Sequence, residues 1–167
     1  MGILTSIKYL LAYGGLLPLL PIIAFQAKQV KASTLRLPCA HDNRVQDKCD
    51  KTAISLLHLG ESTVAGVGVP YLSQGLTHSI VNQLSMQGTR IDWHVQAQNG
   101  ATLSQLNQLD VHVKKPDLLI ITLGVNDCTG LTPRSEWRQQ LYLCTERFAG
   151  THTQIFFTQI PTMSKFT

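Results

Sequence analysis

AISLLHLGESTVAGVGVP, residues 53–70, reads as a strand followed by the loop that leaves it. Residues 53–59 are dominated by Leu and Ile over a length that suits a strand buried on both faces. Gly60, Gly66, Gly68 and Pro70 then forbid its continuation. The same alternation recurs downstream: a helical stretch over residues 71–86, a strand over 91–98, a short helix over 101–109, and the strand DLLIITL over 117–123. Pro133 and Ser135 open a helix running through Trp137, Leu141 and Phe148, and QIFFTQI, residues 154–160, reads as a fourth strand. Apolar strands alternating with amphipathic helices are the pattern of βα units around a parallel sheet, so the fold class is α/β. Ligands of such sheets bind beyond the carboxyl ends of the strands, where strand order reverses. The loops to inspect are therefore GESTVAGVGVP (60–70), NGAT (99–102) and GVNDCTG (124–130).

The chain has 167 residues, 44% of them apolar and 14% charged; an average soluble domain is about 25% charged. The net charge of +4 raises the question of a nucleic-acid partner. Its location answers it: Lys8, Lys28, Lys31 and Arg36 lie in residues 1–36 without an acid, and the remainder is neutral. A neutral domain offers no phosphate-binding excess.

Tyr9 to Ala27 is an uncharged apolar run of nineteen residues, close to the roughly 20 that cross a bilayer core. It reads as a transmembrane anchor over residues 1–27, with Lys8, Lys28, Lys31 and Arg36 at its flanks and Tyr9 and Tyr13 at headgroup depth. Pro18 and Pro21 argue against a buried helix in water. A cleaved signal peptide is the rival reading, but most of the basic residues follow the run instead of preceding it. The same asymmetry places the C-terminal domain on the cytoplasmic side. Residues 28–51, rich in polar residues, read as a linker, and the domain proper as 52–167. Cys39, Cys49, Cys128 and Cys144 form no CxxC and no Cys/His pair at zinc spacing, so no structural metal site is expected. Cys39 and Cys49 would close a small loop in an oxidising compartment; free thiols are the other reading.

Ser62 follows the first strand and precedes a helix, which sets its hydroxyl at the rim of the sheet as a nucleophile would be; the same position suits a helix cap. Val64 stands where a G-x-S-x-G elbow needs its second glycine, Gly66-Val67-Gly68 lacks the third glycine of a dinucleotide loop, and no phosphate loop occurs. Gly100 after the second strand and Asn126 after the third offer a bare N–H and a side-chain amide. With the Ser62 N–H these make three donors able to converge on one oxyanion. Taken singly, Gly100 is also a turn glycine, and Asn126 and Asp127 are also turn formers.

Gly60-Glu61-Ser62, Gly100 and Gly124-Val125-Asn126-Asp127, each after a strand and in this order, resemble the first three blocks of the SGNH, or GDSL-type, esterase and lipase family. LHLGESTVAGVGV and ITLGVND carry the resemblance, which covers roughly residues 53–167. It implies a flavodoxin-like three-layer α/β/α fold and hydrolysis of small-molecule or lipid esters through an acyl-enzyme, without cofactor. It implies Ser62 as nucleophile, with its own N–H, Gly100 and Asn126 as the oxyanion hole. Glu61 stands where the family has Asp. The family's Asp-x-x-His block, which supplies the base, does not occur. Of the six histidines, His58 and His94 fall within strands, His112 and His152 at the amino end of the sheet, and His41 and His78 have no evident partner. Cys128, just beyond Asn126, is a conceivable thiol nucleophile or a small packed residue. Residues 161–167 follow the fourth strand without a further helix or strand, so the expectation is a C-terminally incomplete domain with impaired hydrolysis. A non-catalytic, membrane-tethered module binding an acyl or carbohydrate ligand is the alternative.

Overall fold

A computed structural model describes residues 14, 17–35, 37–41, 53–86, 88–110 and 115–159. The chain divides into two compact units, residues 1–36 and 37–167.

In the first unit a 3₁₀ turn over Leu17–Leu19 leads into helix α1, Leu20–Ser33. Pro21 sits in the first turn of α1, where its missing N–H has no helical partner to lose. Thr34 ends the helix, its Oγ1 donating to the Val30 carbonyl at 2.6 Å. Fourteen residues rise about 21 Å, short of the roughly 30 Å of a hydrocarbon core. Among the described residues no helix is long and apolar enough to cross a membrane. Residues 9–13, 15 and 16 of the expected span lie outside the described residues. Leu20, Ile22, Ile23, Phe25 and Val30 are exposed on α1.

The second unit is built on four parallel strands: β1 Ile54–Gly60, β2 Ile91–Ala97, β3 Leu118–Thr122 and β4 Gln154–Phe157. Their order is β2-β1-β3-β4, so the direction of strand addition reverses between β1 and β3. This is the flavodoxin-like order over its first four strands. The helices are α2 Leu76–Ser85, α3 Leu103–Leu106, α4 Val125–Thr129 and α5 Arg134–Phe148.

Alternation along β1 explains the layers. Leu57 and Leu59 pack with Leu119 and Ile121 of β3 against Leu103 and Leu106 of α3 and Cys144 and Phe148 of α5. Leu56 faces the other way and packs with Ile120, Trp93, Val81 of α2 and Leu72 of the 3₁₀ turn before it. Both faces are covered at β1 and β3, which is why these two strands read as nearly continuous apolar runs. At the amino end Asp117 fixes β3 to β1: its carboxylate accepts from the Ser55 N–H at 2.8 Å and the Ser55 hydroxyl at 2.7 Å. These bonds hold the Asp117 pKa below its ordinary value.

Three expectations need correction. Residues 28–51 are not a linker throughout. Lys28–Ser33 belongs to α1, and residues 37–41 lie along the 60–70 loop, with the Gly68 N–H donating to Pro38, Ala40 to Ala65 and His41 to Pro70. Ala40 is thereby buried in the α2-side core, so the compact unit begins at Leu37, ahead of the expected Thr52; residues 42–52 lie outside the described ones. The helix expected from Tyr71 starts at Leu76, because Gly75 is extended (ψ 178°) and interrupts the 3₁₀ turn Leu72–Gln74. The fourth strand ends at Phe157. Residues 160–167, Cys49 and His112 lie outside the described residues.

Candidate active site

The register sets three strand ends level. Gly60 of β1 stands opposite Ala97 of β2 on one side and Thr122 of β3 on the other. The loops bearing Ser62, Gly100 and Asn126 therefore leave the sheet side by side at the switch point. Gly60 allows this closeness: a Cβ there would meet Val64 Cγ2 at 2.2 Å and the Thr122 carbonyl at 2.7 Å. Gly124 turns the third loop with φ 121° and becomes the N-cap of α4, a backbone position that side chains rarely tolerate.

Glu61 joins the first loop to the third. Its Oε1 accepts from the backbone N–H of Gly124 at 2.5 Å and Val125 at 2.8 Å, and its Oε2 from the N–H of Asn126 at 3.3 Å and from the Asn126 side-chain amide. These are the orphan donors of a helix start, where a carboxylate is favoured. Asp127 joins the third loop to the second: its buried carboxylate accepts from the Leu103 N–H, at the start of α3, at 3.0 Å. Asn126 Nδ2 also donates to the Ala101 carbonyl at 3.1 Å. Thr102 caps α3 with a reciprocal box, its N–H donating to Gln105 Oε1 at 2.9 Å. Glu61 and Asp127, neither of them expected to bear on the site in this way, are the residues that assemble it. The signal for Asp127 lay in its position three residues after Gly124, where Asp enters the first turn of a helix.

Ser62 is partly exposed, one residue past Glu61, and its carbonyl accepts from Val67 at 3.0 Å. Among the described residues the backbone N–H groups of Ser62 and Gly100 have no backbone acceptor. Gly100 is exposed, with φ +78° and open space on its Cβ side. Both N–H groups are thus available to an incoming oxygen, whereas the Asn126 amide is engaged.

Among the described histidines none bonds to Ser62. His58 is fully buried in β1, its Nδ1 2.9 Å from Thr77 Oγ1 and its Nε2 2.8 Å from Thr122 Oγ1, and burial lowers its pKa to about 4. His94 lies on β2 beside Asp92, His78 on α2 against Trp93, and His152 precedes β4 at the amino end of the sheet. His41 lies in the strap of residues 37–41. Cys128 is exposed on α4, and Cys39, Cys128 and Cys144 are free thiols. Among the described residues no group of His, Cys, Asp and Glu is placed to hold a metal. Behind Leu123 an apolar hollow of about 260 Å³ opens, lined by Ile121, Leu123, Trp137, Leu141, Phe157 and Thr158.

The profile of the GDSL-like Lipase/Acylhydrolase family matches residues 58–166. Among solved structures, AlinE4, an esterase of the SGNH-hydrolase family, is 26% identical over 56% of this chain and 52% of its own, with a TM-score of 0.50. TesA is 20% identical over 67% of this chain and 63% of its own, with a TM-score of 0.56, a likeness of fold. The chain thus spans between about half and just under two thirds of the solved proteins it resembles. No curated protein sequence matches.

Proposed function

Because the chain belongs to the GDSL-like lipase/acylhydrolase family, we propose that it hydrolyses carboxylic esters with Ser62 as the nucleophile. The hydroxyl oxygen of Ser62 attacks the ester carbonyl, the alcohol departs with a proton, and water releases the acid from the acyl-enzyme. The N–H groups of Ser62 and Gly100 and the amide of Asn126 receive the negative charge of the tetrahedral intermediate. One observation carries this reading: level strand ends bring these three loops to the switch point, and Glu61 and Asp127 tie them together. The apolar hollow behind Leu123 suits an acyl chain, which favours a lipid or acyl ester as substrate.

Turnover by these 167 residues is proposed to be weak. None of the described histidines is placed to take the Ser62 proton. A serine nucleophile without its base keeps only a residual acceleration, about 1,000- to 10,000-fold over water, from its oxyanion donors and binding.

The proposal extends to a single-pass membrane tether through residues 9–27, with the domain on the cytoplasmic side. It is supported by the uncharged run, the basic residues after it and the exposed apolar side chains of α1. Association of the full chain with carbonate-washed membranes, lost on deleting residues 1–27, is the expected result. Recovery of the full chain in the wash overturns the tether.

Hydrolysis of a short-chain p-nitrophenyl ester by the full chain, compared with Ser62→Ala, tests the chemistry. Slow turnover abolished by the substitution is expected. Turnover indifferent to it removes Ser62 as nucleophile, and ester binding without hydrolysis in either protein favours a binding module.

A further inference from the structure

An amide nitrogen carries two hydrogens, and both of those on Asn126 Nδ2 are spent inside the protein. One is donated to the Glu61 carboxylate and the other to the Ala101 carbonyl at 3.1 Å. The acceptor that matters is the anionic one, because a charged acceptor holds a donor about twice as strongly as a neutral one. Glu61 is in turn fixed by the backbone N–H groups of Gly124, Val125 and Asn126 and is 7% exposed. Four donors surround one carboxylate that cannot swing into water without orphaning three backbone groups.

We infer that Glu61 is an internal competitor for the oxyanion site, a positioning residue whose carboxylate keeps the Asn126 amide from the substrate. This rests on the assignment of Ser62 and Asn126 made above. A developing oxyanion must displace either the Glu61 carboxylate or the Ala101 carbonyl from Nδ2 to obtain that hydrogen bond. Part of the donor's stabilising effect is therefore used in the resting protein, and the oxyanion is held chiefly by the N–H groups of Ser62 and Gly100.

Side-chain length is the lever. Glu61→Asp keeps the charge at the start of α4 but withdraws both oxygens by about one carbon–carbon bond, 1.5 Å. Contacts of 2.8 and 3.3 Å cannot all survive that retreat. Glu61→Gln keeps the reach but offers one oxygen for four donors, and turning that oxygen to the backbone sets its own amide against Asn126 Nδ2.

The test uses the full chain with two readouts. Hydrogen exchange of the Asn126 side-chain amide, followed by NMR, is slow in the parent and rises about tenfold or more in Glu61→Asp and Glu61→Gln, while the amides of Leu119 and Ile121 in β3 stay protected and report an intact fold. Modification of Ser62 by a fluorophosphonate, read by intact mass, accelerates about tenfold in the same variants, within the effect of a single oxyanion donor. The gain disappears when Asn126→Ala is added. An Asn126 amide already in fast exchange in the parent overturns the inference, as does an acceleration that persists in Glu61→Asp/Asn126→Ala. A released Asn126 with no acceleration overturns it too, provided Ser62 is modified at all. Release of Asn126 with no modification in any protein instead refutes Ser62 as nucleophile and supports the sequestration of Asn126 by Glu61.

Discussion

The Asp127 carboxylate accepts the backbone N–H of Leu103 at 3.0 Å, and both residues are buried. This single bond couples the first turn of α4 to the first turn of α3, so the loops bearing Asn126 and Gly100 cannot drift apart without exposing an unpaired amide. Removing the acceptor leaves that N–H without water or partner, at a cost of about 1–3 kcal/mol. Asp127→Ala is expected to lower stability by that amount in urea denaturation. Asp127→Asn, which retains an oxygen acceptor, is expected to cost less than half as much. Equal losses in the two variants would show that the charge, and not the hydrogen bond, is what the site uses.

Gly60 meets Val64 and the Thr122 carbonyl so closely that no side chain fits. The Thr122 carbonyl belongs to the sheet and cannot retreat alone. Gly60→Ala is therefore expected to force β1 and β3 apart at the end where Ser62 emerges, with about 1–3 kcal/mol of destabilisation from overpacking. Comparison of thermal midpoints checks this. A midpoint within experimental error of the parent would mean that the loop relaxes freely.

What the sequence made legible follows from which forces are local. β1 and β3 were readable because burial on both faces leaves apolar runs such as LLII, residues 118–121, and β2 because Ile91, Trp93 and Val95 alternate with polar residues. Ser62, Gly100 and Asn126 were readable as candidates because each follows such a run. The state of Asn126 was not: whether its amide faces solvent or Glu61 depends on contacts across 65 positions. Helix α4 has five residues, too few for any periodicity, and its first N–H groups are held by a carboxylate supplied by another loop. The burial of Ala40 in the core that holds Leu72 and Ile91 was equally invisible, since residues 37–41 are too few to show any periodicity.

His58 makes stability depend on pH. The neutral ring bridges Thr77 of α2 and Thr122 of β3, and burial depresses its pKa from 6.5 to about 4. Between those values the unfolded chain binds a proton that the folded one refuses, so stability falls as pH drops from about 6.5 and levels off below about 4. The whole loss approaches about 3 kcal/mol. Urea titrations at pH 7 and 4.5 are expected to differ by most of this amount in the parent and by much less in His58→Leu. An undiminished difference in the variant would assign the acid sensitivity to the carboxylates instead.

Cys144 is expected to be silent to alkylation while the fold holds. It lies in the core between α5 and the sheet, and burial pushes its thiol up to about 11 despite the opposing charge of Arg147. At pH 8 about one thousandth of such a thiol is ionised, and the thiolate is the reactive form. Cys39 and Cys128 are exposed. Iodoacetamide at pH 8, followed by peptide mass analysis, is expected to modify Cys39 and Cys128 and spare Cys144 until denaturant is added. The parent and Glu61→Asp should agree in this, because the α5 core does not include the Glu61 carboxylate. Early labelling of Cys144 in the parent would show that α5 opens from β3 and β4 in the native state, and that the apolar hollow beneath Trp137 and Leu141 is wider in solution than its 260 Å³.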